Sequence, residues 1–67
     1  MYEMELNAIY IGPSTEVLDH GRKYAIEKAV YKNGHVMVLV NVDGYPAMQR
    51  MRYSGAKAYE RDWRERL

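Results

Sequence analysis

Between Lys23 and Tyr53 the chain alternates its side chains with a period of two, and the alternation is interrupted twice, at Asn33-Gly34 and at Asp43-Gly44. A pattern of this kind suits an antiparallel meander, because a strand turns successive residues to opposite faces and each glycine dipeptide can reverse the chain. In the first segment Tyr24, Ile26, Lys28 and Val30 share one face, and Ala25, Glu27, Ala29 and Tyr31 the other. A helix competes here, since Ala and Lys favour helical backbone. Asn33-Gly34 decides for a strand: Asn and Gly tolerate the positive φ values of a type I′ turn, which predicts a tight hairpin. The run that follows, His35 to Val42, is too rich in β-branched residues for a helix. Asp43-Gly44 repeats the turn signal and leads into a third segment, Tyr45 to Tyr53, where Pro46 must stand at the start or on an edge because it cannot donate to a ladder.

Upstream, Glu5 to Ile11 reads as a further strand that Gly12-Pro13-Ser14 stops. The stretch to Gly21 reads as a long loop pinned to the core by Val17 and Leu18, with His20-Gly21 as the turn into the meander. Downstream, Ser54 is a candidate N-cap, and Ala56, Tyr59, Trp63 and Leu67 fall at helical spacing. The opposite side offers the charge pairs Glu60–Arg64, Arg61–Glu65 and Asp62–Arg66, each worth about 0.2–0.5 kcal/mol on an exposed helix. These features predict a short terminal helix or a single 3₁₀ turn with a charged tail over about 60–67, anchored by a buried Trp63.

The segments Tyr10-Ile11-Gly12-Pro13, Leu18-x-His20-Gly21-Arg22-x-Tyr24, the hairpin, Tyr53-Ser54, and Tyr59 with Trp63 lie in an order that resembles short uncharacterised proteins of Gram-positive bacteria and their phages. Those proteins look like SH3-type barrels, and the likeness covers nearly the whole chain. It implies a mainly β fold: a small SH3-like barrel with a three-stranded antiparallel meander, a short C-terminal helix or 3₁₀ turn, and residues 12–22 as an RT-type loop. The acidic cluster and paired aromatics of eukaryotic signalling SH3 domains are missing. Proline-rich peptide binding is therefore not implied.

No repeat or linker-like stretch interrupts the 67 residues, which read as one domain near the lower size limit for a self-sufficient core. There is no Cys, so neither a disulfide nor a thiolate metal site can staple that core. The longest apolar run, Val36 to Val40, is far short of the roughly 18 residues a spanning helix needs. Acid at Glu3 and Glu5 stands where a signal peptide carries base. A cytoplasmic protein is expected.

Catalytic chemistry finds little to work with. His20 and His35 stand apart with no metal-ligand spacing, Ser14, Thr15 and Ser54 have turn or capping roles, and the five glycines form neither a G-x-G-x-x-G loop nor a P-loop. The chain is expected to be no enzyme and to need no cofactor. Seven tyrosines and one tryptophan, with no phenylalanine, must fill a core and still leave some rings at the surface. Tyr10, Tyr45, Tyr53 and Tyr59 are candidates to line a shallow partner groove. Arg50 and Arg52 share a strand face, which Arg22, Lys23 and Lys57 are expected to approach, and such a patch suits a phosphate backbone. Net charge is only +1, but residues 1–20 hold four acids and no base, while residues 21–67 hold ten bases and five acids.

The leading expectation is a non-enzymatic protein-binding module, of phage or prophage origin and acting on a host protein, that uses Tyr10, Tyr45, Arg50, Arg52 and Tyr59. A weak nucleic-acid-binding domain using the arginine strand, and a homo-oligomer formed through an exposed strand or the tail, are the alternatives.

Overall fold

The computed structural model describes residues 2–65. Five strands form one sheet: β1 (Tyr2–Tyr10), β2 (Lys23–Val30), β3 (Val36–Asn41), β4 (Gln49–Tyr53) and β5 (Trp63–Glu65), with the helix α1 (Ala56–Asp62) between the last two. Their order is β4-β3-β2-β1-β5, every pairing is antiparallel, and the sheet is open. The fold is mainly β.

Both glycine dipeptides turn the chain where the sequence predicts, by other turn types. In the first, the Gly34 N–H donates to the Tyr31 carbonyl and the Tyr31 N–H to the His35 carbonyl, with only Gly34 at positive φ. That is a type I turn closed by a glycine bulge rather than type I′. Asn33 keeps a negative φ and its side-chain oxygen accepts the His35 N–H, which ties down the bulge. In the second, the Tyr45 N–H donates to the Val42 carbonyl with Gly44 alone at positive φ, the mark of a type II turn. The β3–β4 connection then runs to Met48, so Tyr45 and Pro46 precede the strand and the ladder loses no donor to proline.

Two boundaries move because free backbone groups find partners. β1 starts at Tyr2 rather than Glu5, as Tyr2, Glu3 and Met4 pair with Val30, Ala29 and Lys28. At the other end the helix stops at Asp62: Trp63 is extended, Tyr10 pairs with Trp63, and the Ile11 N–H donates to the Asp62 carbonyl at 2.6 Å. The open edge of β1 supplies the backbone partners that continued helix would have supplied along its own axis. Glu65 consequently joins Lys28 and not Arg61, while Arg66 and Leu67 lie outside the described residues. The helix is capped by Gly55, not Ser54, without a side-chain hydrogen bond.

The core lies between the sheet and the segments that cross it. Ala8 and Tyr10 from β1, Tyr24 and Ile26 from β2, Val36, Val38 and Val40 from β3, then Val42, Leu18, Tyr59 and Trp63 form one buried cluster. Trp63, 2% exposed, takes Tyr10 and Tyr24 edge-on at 5.2 and 6.1 Å between ring centres. Its indole N–H donates to the Tyr53 hydroxyl, which in turn donates to Asp62 at 2.8 Å. Every buried side-chain polar atom among the described residues has a partner, as a small core demands.

Candidate interaction surface

The loop from Ile11 to Arg22 and the helix both pack on one side of the sheet, through Leu18 and Tyr59. The side chains on the opposite side are aligned by the strand register, because directly paired residues share a face. Four rows result. Arg52, Met37, Ala29 and Glu3 make the first, and Arg50, Leu39, Glu27 and Glu5 the second. Asn41, Ala25 and Asn7 make the third, and Lys23, Ile9 and Arg64 the fourth. Across the first two rows the surface runs from bases on β4, over apolar side chains on β3, to acids on β2 and β1. β1 and β4 are three strand spacings apart, about 14 Å.

This outer face is shaped as well as charged. A depression of about 300 Å³ lies over Met37, Leu39, Ala29 and Tyr31 and is bordered by Glu3, Glu5 and Glu27. A second, of about 440 Å³, continues past Asn41 and Ala25 to the exposed Met48. Charge on the face is poorly compensated. Glu5 and Glu27 are cross-strand neighbours of like sign, an arrangement that destabilises a sheet. Among the described residues the ion pairs join Arg22 to Asp19 and Asp43, and Lys28 to Glu65; none takes up Glu5, Glu27, Arg50 or Arg52.

The five candidate residues separate into two groups. Tyr10 and Tyr59 are each 2% exposed and belong to the core, so neither ring is open to a partner. Tyr10 donates its hydroxyl proton to the Pro13 carbonyl, and Tyr59 donates to Glu65 at 2.8 Å. Tyr45, on the β3–β4 connection, and Arg50 and Arg52 are exposed. Tyr53 is half-buried, with its hydroxyl committed to Asp62 and Trp63. Arg22 is drawn to Asp19 and Asp43, Lys23 stands two rows beyond Arg50, and Lys57 rides on the helix. The five-base patch expected from the sequence reduces to Arg50 and Arg52.

Met37 and Leu39 are the surface residues that the sequence reading passed over. They sit within the apolar run Val36 to Val40, which the sequence reading did not divide between faces. Their parity was the available signal: they alternate with Val36, Val38 and Val40 and share a face with His35 and Asn41.

The loop histidine and hydroxyls serve the loop itself. His20 Nδ1 lies 3.0 Å from the Gly12 carbonyl, Ser14 accepts the His20 N–H, and Thr15 accepts the N–H groups of Val17 and Leu18. No group of three or more His, Cys, Asp or Glu stands close enough to hold a metal among the described residues. Burial, reinforced by the neighbouring carboxylates, holds the Tyr53 and Tyr59 hydroxyls well above the ordinary tyrosine range, so they remain protonated donors. The Lys28 ammonium, bonded to Glu65 at 2.6 Å and 4.3 Å from the Tyr59 ring centre, holds the Glu65 carboxyl below its ordinary value. These contacts clamp β5 to the sheet. Among known protein families, curated proteins and solved structures, none matches this chain.

Proposed function

We propose that the chain is a non-enzymatic protein-binding module, an SH3-like barrel in kind, whose binding surface is the outer face of its sheet. The observation that carries the reading is the Met37–Leu39 pair, standing on the central strand between Arg50 and Arg52 on one flank and Glu3, Glu5 and Glu27 on the other. Apolar side chains ringed by charge are how specific protein surfaces combine affinity with orientation. The strand order, the long first loop and the short helix before β5 support the barrel reading. In the phage or prophage setting that the resemblance implies, the partner is a host protein met in the cytoplasm.

A nucleic-acid partner is the weaker reading on this surface. Glu3, Glu5 and Glu27 share the first two rows with Arg50 and Arg52, so a phosphate backbone laid along them meets three repulsive charges and two attractive ones. The test is capture from a Gram-positive lysate with three tagged baits: the wild-type chain, Leu39→Lys and Tyr2→Lys, each checked for folding by circular dichroism. The proposal expects proteins retained by wild type and Tyr2→Lys and lost by Leu39→Lys, unaffected by nuclease. Equal recovery by all three baits refutes the surface.

A further inference from the structure

We infer that the outer face is an isologous dimer interface, closed by a second copy of this chain across a two-fold axis parallel to the strands and running along β3. The inference rests on the proposed outer-face surface: in the free chain a second copy covers the same side chains that a host protein would compete for. Rotation about such an axis keeps each row at its own level and exchanges the two sides of β3. Leu39 and Met37 then meet their own copies. Arg50 comes across from Glu27 with Glu5 beyond it, and Arg52 across from Ala29 with Glu3 beyond it. A surface whose charge inverts from one side of its apolar centre to the other is complementary to itself under this one operation.

Three further observations point the same way. The like-charged neighbours Glu5 and Glu27 have no counter-ion among the described residues, and the partner's Arg50 supplies one. Aligned sheets pack about 10 Å apart, a gap that extended Arg and Glu side chains span from opposite sides. One face of a body 32 × 23 × 23 Å across matches the roughly 800 Å² per partner that a specific interface buries.

Pairing of the free β4 edges is the competing geometry, and its charges oppose it. Two β4 strands meeting antiparallel about Met51 set Arg50 of each chain against Arg52 of the other, a like-charge ladder that blunts an edge.

The experiment is sedimentation equilibrium on the full chain and two charge-reversed forms, with circular dichroism as the folding check. One form carries Glu5→Arg and Glu27→Arg, the other Arg50→Glu and Arg52→Glu. The wild type is expected to reach twice the 7.9 kDa chain mass as concentration rises. Each reversed form alone is expected to dimerise more than about a hundredfold more weakly, because both reversals set like charges across the central contact of position 50 with positions 27 and 5. An equimolar mixture of the two restores a dimer. A wild type that stays monomeric at the highest soluble concentration overturns the inference, and so does a dimer indifferent to both reversals. A monomer that still captures other proteins through Leu39 overturns the dimer and leaves the binding-module reading standing; a monomer with no Leu39-dependent capture removes both.

Discussion

The two faces of this sheet are made from the same strands and obey different rules. On the core side Val36, Val38 and Val40 are at most 1% exposed, Trp63 and Tyr59 close over them, and each hydroxyl, indole and ammonium has an identified partner. On the outer side β3 offers Met37 and Leu39, half-buried, between arginines and glutamates that leave one another uncompensated. A 67-residue domain has total stability of only a few kcal/mol. It cannot tolerate a fault on the first face, and it carries an evident one, Glu5 beside Glu27, on the second. The difference teaches that the demands of folding account for the core face and leave the composition of the outer face unexplained, which is why the proposed binding surface is placed there.

Substitutions should divide along the same line. Trp63→Ala removes the ring that joins β5, Tyr10 and Tyr24, and truncations of this kind cost about 3–5 kcal/mol. Urea titration should find the variant largely unfolded; a wild-type midpoint would end the claim that Trp63 is the keystone. Gly12→Ala comes next. A Cβ there would lie 2.7 Å from both the Asp62 carboxylate and the Tyr10 hydroxyl, so the same titration should show a loss of about 1–3 kcal/mol from overpacking.

Smaller again is the clamp on β5. Lys28 holds the folded pKa of Glu65 below its ordinary value of 4.5, so this contribution is complete above that pH and is lost as pH falls through the depressed value. Lys28→Met should flatten the acid limb of a melting-temperature profile between pH 7 and pH 3; an unchanged limb would contradict the clamp. At the alkaline end the sign reverses. Tyr10, Tyr53 and Tyr59 have folded values raised above 10.0, chiefly by burial, so their contribution is full below pH 10 and declines as pH rises toward those values.

The outer face should give the smallest stability effects. Arg52→Ala should move the unfolding free energy by less than about 0.5 kcal/mol. Glu27→Gln, measured on the dilute chain at low salt, should raise stability by about 0.2–1 kcal/mol as the repulsion from Glu5 disappears. A loss on the core-side scale from either change would erase the distinction between the faces.

How far the sequence foretold this arrangement depends on how local each signal is. Asn33-Gly34 and Asp43-Gly44 located β2, β3 and β4, since a glycine that permits positive φ acts on its immediate neighbours. The turn types differed because Asn33 used its side chain on the His35 N–H instead of adopting positive φ itself. β5 was hidden. Tyr59 and Trp63 are four apart, as in a helix, and only the open edge of β1, more than fifty residues earlier in the chain, turns Trp63 into a strand residue. Tyr10 and Tyr59 were misplaced for a related reason: ring count says that some tyrosines are buried, and only tertiary packing says which. The charge asymmetry between residues 1–20 and the remainder was visible from the start, and part of it survives folding as Glu3 and Glu5 on β1 across from Arg50 and Arg52 on β4.

Amide chemical shifts of the ¹⁵N-labelled chain, compared between dilute and concentrated solution, test self-association through the outer face most directly. The account predicts movement confined to Met37, Leu39, Glu27, Arg50, Arg52 and their row neighbours, with the Trp63 indole and the α1 amides still. Shifts centred on α1 and β5, or none at any concentration, would contradict it.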